Sequence, residues 1–96
     1  MNASPDSDAG ITVYWRPGCP FCMFLDRGLK KLGIEAERRN IWDDPEAAAT
    51  VRSIANGNET VPTVVVGSWG MVNPSAKEVL AAMKREAPHL VPAKHA

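Results

Sequence analysis

Two cysteines, Cys19 and Cys22, are the only ones in the chain, and two residues separate them. A short run of β-type residues, 11–15, ends just before the pair, and a helical pattern begins at Pro20. Residues i and i+3 in the first turn of a helix lie close enough for their sulfurs to form a disulfide. A C-x-x-C at a strand-to-helix corner is therefore typical of a dithiol–disulfide redox centre.

The predicted helix places the two thiols in different surroundings. If Cys19 caps the helix, Pro20 occupies the first helical position, where proline is favoured because an amide there would lack a partner. Free N–H groups and the positive end of the helix dipole then favour a thiolate at Cys19, which is the nucleophilic form. Arg16 is either a further source of positive charge, a substrate contact or a solvated turn residue. Cys22 lies one turn deeper, so we expect it to be less exposed and better placed to resolve a mixed disulfide.

Other uses of the two cysteines fit the sequence less well. A structural zinc site usually needs four protein ligands. The two histidines, His89 and His95, lie near the C-terminus without a matching spacing. We therefore predict no metal site. A purely structural disulfide is also disfavoured, because a four-residue loop gains little loop entropy from closure.

Composition limits the class of protein. A chain of 96 residues predicts one domain, and its 11 Lys and Arg balance its 11 Asp and Glu, so no basic excess indicates nucleic-acid binding. No apolar stretch approaches the roughly 20 residues of a membrane span. The polar N-terminus lacks the apolar region of a signal peptide, so we expect a cytoplasmic protein with reduced thiols. We predict a disordered tail over 1–9, a domain over 10–88 and a C-terminal tail over 89–96.

Hydrophobic periodicity predicts the element order β-α-β-α-β-β-α. Strands are expected at 11–15, 35–40, 63–66 and from 71, and helices at 20–32, 45–55 and up to 86. The first unit should be a parallel crossover, the last two strands an antiparallel hairpin, and the polar second strand an edge. Helices should cover both faces of the sheet. Two starts compete for the third helix, an Asn73 cap followed by Pro74 and a capping box of Ser75 with Glu78.

This order, with C-x-x-C at the first strand–helix junction, resembles the thioredoxin fold. The run Cys19–Cys22 reads C-P-F-C, which is similar to the C-P-Y-C of dithiol glutaredoxins, and Thr60–Pro62 matches the T-V-P run of that family. The resemblance covers residues 11–87. It implies an α/β domain with a four-stranded mixed sheet and three helices, the activity of a thiol–disulfide oxidoreductase, and a cis bond before Pro62 facing the active-site cysteine. The Val61 backbone would then pair with an incoming cysteinyl peptide like a short strand.

The start of the third helix departs from that family. Glutaredoxins carry a glycine pair, a further residue and an Asp there, which hold the γ-glutamyl carboxylate of glutathione, whereas this chain has V-N-P-S at 72–75. The N-P-S run, with Asn56–Asn58, instead resembles the mycoredoxins of actinobacteria, which serve the cysteine-sugar thiol mycothiol. Their usual centre is C-G-Y-C, so Pro20 departs from that pattern. Another relative is the hydrogen donor of ribonucleotide reductase that thioredoxin reductase reduces, whose W-S-G-F-R-P signature is absent.

The residues and the resemblance together define a candidate site. Cys19 is the expected nucleophile, and Cys22 is either the resolving thiol or a bystander. Substrate contacts are expected from Arg16, Phe21, Thr60, Val61, Pro62, Asn73, Pro74 and Ser75. Packing of Phe21 in the core and plain capping by Asn73 are the structural alternatives.

Three hypotheses for function follow. The first is a glutaredoxin-like oxidoreductase, a monomer without bound cofactor, that reduces mixed disulfides of proteins with mycothiol or glutathione as co-substrate. The second is a dithiol electron donor that thioredoxin reductase reduces directly, which would require Cys22. The third belongs to another class, a module that holds an iron–sulfur cluster between two protomers, and Pro20 is expected to hinder it.

Overall fold

The structure, a computed structural model, describes residues 10–95. The disordered tail predicted over 1–9 lies outside the described residues. The seven main elements follow the predicted order β-α-β-α-β-β-α. They are β1 (Ile11–Trp15), α1 (Pro20–Lys31), β2 (Glu37–Asn40), α2 (Pro45–Ile54), β3 (Thr63–Val66), β4 (Trp69–Val72) and α3 (Ala76–Glu86).

The four strands form one mixed sheet in the order β2-β1-β3-β4. Strand β2 runs parallel to β1, whereas β3 runs antiparallel to both β1 and β4. The predicted parallel crossover, terminal hairpin and polar edge strand are therefore confirmed. Strand β1 is an inner strand of the sheet, and α1 follows it directly. The start of α1 therefore lies near the C-terminal end of an inner strand.

The hairpin turn is shorter than predicted. The sequence predicts a turn over 67–70 with a strand from Met71, whereas β4 already begins at Trp69, which pairs with Val66. Gly67 has a φ of +61°, which a two-residue hairpin turn can use. The prediction that Trp69 belongs to the turn is therefore wrong.

Two apolar layers cover the two faces of the sheet. Alternate residues of β1 and β3, such as Val13 and Val64, pack with Leu25 of α1 and Met83 of α3. On the opposite face, Tyr14 belongs to a second buried cluster. The α2 residues of that cluster are Ala47, Ala48 and Val51. Helices therefore lie on both faces, as the layer rule predicts.

Local capping decides where α3 begins. Ser75 is the N-cap, its Oγ accepts from the Glu78 amide at 3.1 Å, and the Glu78 carboxylate accepts from the Ser75 amide at 2.8 Å. Asn73 has a φ of +52°, so it is not an extended cap residue. The capping box thus prevails over the competing start at Asn73 and Pro74.

The C-terminal stretch that the sequence predicts as a tail folds back onto the domain. Residues Pro88–Leu90 and Ala93–His95 form short 3₁₀ turns. Leu90 and Val91 pack against the larger core cluster, and His95 Nε2 lies 2.9 Å from the carbonyl oxygen of Leu32. Within residues 10–95, no helix is both long enough and apolar enough to cross a membrane.

Candidate active site

Cys19 caps the N-terminus of α1, as predicted. Its backbone is extended, with φ −102° and ψ 106°, and Pro20 occupies the first helical turn. The Cys22 amide donates to the Cys19 sulfur at 3.2 Å, and the Met23 amide donates to the Cys19 carbonyl oxygen at 3.2 Å. The sulfur therefore accepts one of the backbone donors that a helix N-terminus leaves unpaired.

Both sulfurs are buried, so the expectation that Cys22 is the less exposed residue is wrong. Cys19 is 4% exposed and Cys22 is 6% exposed. The Cys19 side chain contacts the N-terminal end of α1 through the Cys22 amide. It also lies against the Val61 backbone, with 3.8 Å between Cys19 Sγ and the Val61 carbonyl oxygen. Both cysteines are free thiols in this structure.

The surroundings of Cys22 keep its proton in place. Burial and a hydrogen bond with the Cys19 side chain raise the pKa of Cys22 from 9.0 to about 12, against the lowering effect of a backbone hydrogen bond from Arg16. Desolvation acts in this direction because it disfavours the charged form of a thiol. Cys22 is thus held as the neutral thiol at ordinary pH.

A cis peptide bond between Val61 and Pro62 faces Cys19, as the resemblance implies. Pro62 is buried, whereas the Val61 side chain is half-buried and Thr60 is exposed. The Thr63 hydroxyl donates to the Thr60 carbonyl oxygen at 2.7 Å and braces this turn. The Cys19 sulfur therefore lies between the Cys22 amide, at 3.2 Å, and the Val61 carbonyl oxygen, at 3.8 Å.

Residues 73–75, also predicted to contact substrate, are linked to the cis-proline turn by a backbone hydrogen bond. The Asn73 amide donates to the carbonyl oxygen of Pro62 at 2.7 Å. Asn73 and Ser75 are exposed and Pro74 is buried. With Phe21 they line a cleft of about 350 Å³ between the starts of α1 and α3.

Phe21 lies in that cleft and not in the core. It is 61% exposed, as is its neighbour Phe24. The alternative of core packing for Phe21 is therefore wrong. The buried residues of α1 are instead Cys22, Leu25 and Leu29.

A second depression, here called the basic groove, lies on the other side of the cysteine pair and has a volume of about 480 Å³. Its charged lining residues are Arg16, Asp26, Arg27, Lys30 and Arg38, and its other lining residues are Val13, Trp15, Gly18, Cys19, Cys22 and Met23. Of the residues predicted to contact substrate, only Arg16 lies in it. Phe21 and residues 73–75 thus line one depression and Arg16 lines the other, whereas Thr60, Val61 and Pro62 line neither.

Sequence reasoning missed the groove because its lining comes from two elements whose pairing is not visible locally. Asp26 bridges Lys30, one turn along α1, at 3.1 Å, and Arg38 on β2, whose Nε donates to it at 2.7 Å. Burial raises the pKa of Asp26, but the hydrogen bonds from Lys30 and Arg38 outweigh it and hold that pKa below its ordinary value. Only the i, i+4 spacing of Asp26 and Lys30 signals any of this in the sequence.

The described residues hold no metal-like cluster. Within 10–95, no three side chains of His, Cys, Asp or Glu gather as a metal site would require. The chemistry that this arrangement offers is that of two adjacent thiols, one capping a helix and one kept protonated.

Comparisons with known proteins agree with this geometry. The glutaredoxin family model matches residues 11–68, which include both cysteines and the cis-proline turn. Mycoredoxin 1 of Corynebacterium glutamicum is 35% identical over 77 residues, covering 79% of this chain and 95% of the relative. A Mycobacterium tuberculosis protein that carries a glutaredoxin name is 36% identical over 76 residues, covering 78% and 90%.

Solved structures show the same fold. A glutaredoxin from Archaeoglobus fulgidus superposes with a TM-score of 0.68 at 21% identity, covering 86% of this chain and 97% of that one. The glutaredoxin-like NrdH-redoxin of Escherichia coli gives 0.57 at 32% identity, covering 65% and 79%. The chain has a thioredoxin fold and belongs to the glutaredoxin family of thiol–disulfide oxidoreductases.

Proposed function

We propose that this protein reduces mixed disulfides between proteins and a low-molecular-weight thiol, with Cys19 as the nucleophile and mycothiol as the small thiol. One observation carries the assignment of Cys19. The Cys19 sulfur accepts a hydrogen bond from the Cys22 amide at the N-terminus of α1, whereas the pKa of Cys22 is raised to about 12. The thiolate is the attacking form in such exchanges, and the raised pKa of Cys22 disfavours that residue as the first nucleophile.

The first step is an exchange at one sulfur. The Cys19 thiolate attacks the small-thiol sulfur of the mixed disulfide, a bond forms between these two sulfurs, and the protein sulfur leaves as a thiolate that takes a proton from water. The electron count is unchanged, because one disulfide replaces another. The Val61 carbonyl beside Cys19 supports this step by offering an edge to the backbone of the substrate.

Two routes can then free Cys19. A second molecule of small thiol can attack the sulfur that Cys19 holds, which yields the small disulfide and restores the Cys19 thiolate. Alternatively, Cys22 can attack Cys19, which expels the small thiol and leaves the Cys19–Cys22 disulfide. The second route needs the Cys22 thiolate. Burial, the largest cause of the raised Cys22 pKa, still disfavours that thiolate when Cys19 holds the small thiol, which favours the first route.

The choice of mycothiol rests on the cleft beside Phe21. Its far wall is formed by Asn73, Pro74 and Ser75, where a glycine pair and an acid would be expected for glutathione. Ser75 also uses its side chain to cap α3. The similarity to Mycoredoxin 1 of Corynebacterium glutamicum supports the same choice.

The test is NADPH consumption with a small mixed disulfide as oxidant. The protein is coupled in turn to mycothiol with its reductase, to glutathione with its reductase, and to thioredoxin reductase alone. We expect turnover with mycothiol that survives Cys22→Ser and is lost in Cys19→Ser. Equal or faster turnover with glutathione would contradict the assignment of mycothiol.

A direct electron donor is the second candidate, and the 32% identity to the Escherichia coli NrdH-redoxin, whose described activity profile is thioredoxin-like, favours it. The same assay separates the two. Turnover with thioredoxin reductase alone, abolished by Cys22→Ser, would replace the proposed function with this one.

A further inference from the structure

The basic groove concentrates positive charge in a protein whose formal net charge is zero. Arg16, Arg27, Lys30 and Arg38 line it with a single carboxylate, Asp26. Asp26 is shared between Lys30 and Arg38. One negative charge therefore faces four positive ones within a depression that also reaches both cysteines.

Two of these cations lie beside aromatic rings, and Arg16 Nη1 also donates to the carbonyl oxygen of Pro17 at 3.4 Å. The Arg16 guanidinium lies 5.7 Å from the ring centroid of Trp42, and that of Arg27 lies 5.9 Å from the ring centroid of Phe24. Within the described residues, neither pairs with a carboxylate. A ring contact does not neutralise the positive charge, so the groove has a deficit of negative charge.

The length of the groove indicates what fits it. Arg27 follows Cys19 by eight residues and Lys30 by eleven, which corresponds to about 12 Å and about 16 Å along a helix at 1.5 Å per residue. An extended chain spans these distances with about four and five residues at 3.3 Å each. A single small anion would reach only part of this row of cations.

The lining is also suited to a polypeptide. Val13, Trp15 and Met23 give the groove an apolar wall beside its charges. Such a mixture matches alternating apolar and acidic side chains, whereas Asp26 within the charged row disfavours a continuous polyanion. Cys19 itself lines the groove, so a segment bound there would be continuous with the substrate cysteine that carries the small thiol.

We propose that the basic groove binds an acidic segment of the protein substrate, located within about five residues of the cysteine whose disulfide Cys19 attacks. This inference rests on the proposed function, because it assigns a partner to the same thiol exchange. Charge complementarity raises the rate at which such substrates are captured, and salt weakens it.

The test uses two synthetic peptides with one cysteine each, prepared as mixed disulfides with 2-mercaptoethanol so that the small thiol is uncharged. One peptide carries Asp or Glu at positions three to five from the cysteine, and the other carries Asn or Gln there. The measured quantity is the ratio of their second-order rate constants with the reduced protein. We expect a ratio of about ten in favour of the acidic peptide at low salt, approaching one at high salt.

Two double variants that remove the same charge test whether the preference for the acidic peptide depends on the basic groove. In Arg27→Gln/Lys30→Gln, the ratio should fall toward one, whereas Lys84→Gln/Arg85→Gln, which removes the same charge from the exposed face of α3, should keep it. A ratio of one in the wild type, or one that the groove variant leaves unchanged, would overturn the proposal. Failure of the protein to react with either peptide would instead contradict the proposed function itself.

Discussion

Cys22 loses its proton less readily than an ordinary cysteine because burial and its hydrogen bond with Cys19 both favour the neutral thiol. This protection makes the pair asymmetric. At pH 8 a group with a pKa of about 12 is ionised in roughly one molecule in ten thousand, so Cys22 contributes almost no thiolate before Cys19 has reacted. The asymmetry arises from position in α1, since Cys19 lies at its cap and Cys22 in its first turn.

The raised pKa of Cys22 should make the folded protein less stable as pH rises above 9. In the folded protein Cys22 stays protonated up to about pH 12, whereas in the unfolded chain it ionises near 9.0. Above pH 9 the unfolded state therefore binds fewer protons, and the free energy of unfolding falls as pH rises. We expect Cys22 to account for a loss of roughly 1 kcal/mol between pH 8 and pH 10.

Urea unfolding at these two pH values, for wild type and Cys22→Ser, measures this contribution. The variant should lose less stability over the interval than the wild type does. Identical losses in the two proteins would show that Cys22 titrates alike in the folded and unfolded states.

Helices α1 and α3 approach each other closely at Gly28. A Cβ added at Gly28 would lie 2.8 Å from the Cβ of Ala76, the first residue of α3. The structure therefore places Gly28 of α1 against the start of another helix. This contact fixes the start of α3, and with it the Asn73–Ser75 wall of the cleft.

Gly28→Ala should therefore destabilise the protein even though alanine favours helix. The gain in helix propensity is about 1 kcal/mol, and overpacking at such a contact costs about 1–3 kcal/mol. We expect a net loss in the free energy of unfolding, measured with urea.

The double variant Gly28→Ala/Ala76→Gly is the control, because it restores the space between the helices. Its loss should be smaller than the sum of the two single losses. Additive losses would contradict the close contact.

The sequence predicted those elements whose ends carry local signals. Pro20 after Cys19, and Pro45 after Asp44, each mark a helix start, and both are found at that position. The start of β2 was less well predicted. The sequence predicts it at residue 35, whereas the strand begins at Glu37. Its polar residues are placed by pairing with β1 and with Asp26, and such non-local partners leave no trace in the local pattern.

The same distinction holds within the site. The cysteines and the cis-proline turn could be predicted from short motifs, and Arg16 from its place near Cys19. The contribution of Arg38 to the basic groove could not be predicted, because it depends on where an edge strand lies relative to α1. Burial of Cys19 was also missed, since it depends on the Val61 backbone, 42 residues away in the chain.

At the scale of the whole molecule, the C-terminal stretch belongs to the packed structure. Leu90 packs against the larger core cluster, and a Cβ added at Gly10 would lie 2.1 Å from Leu90 Cδ1. The segment thereby covers the start of β1, at the end of that strand away from Cys19. It contributes to stability without approaching the reacting sulfurs.

Leu90→Ala should lower the free energy of unfolding by about 1–2 kcal/mol, less than for a fully buried leucine because Leu90 is half-buried. Thermal or urea unfolding measures the change. The exposed neighbour His89 provides the control, since His89→Ala should change stability by less than about 0.5 kcal/mol. Equal effects of the two substitutions would show that the segment does not pack as described.

The assignment of Cys19 as the nucleophile is tested by finding which cysteine captures the small thiol. Cys22→Ser and Cys19→Ser are each incubated with a protein that carries a disulfide-linked small thiol, and intact masses are then measured. We expect Cys22→Ser to gain the mass of one small thiol while the carrier protein is released. Cys19→Ser should gain nothing. Transfer of the small thiol to Cys22 in Cys19→Ser, at a rate comparable to that of Cys22→Ser, would contradict the assignment of Cys19 as the nucleophile.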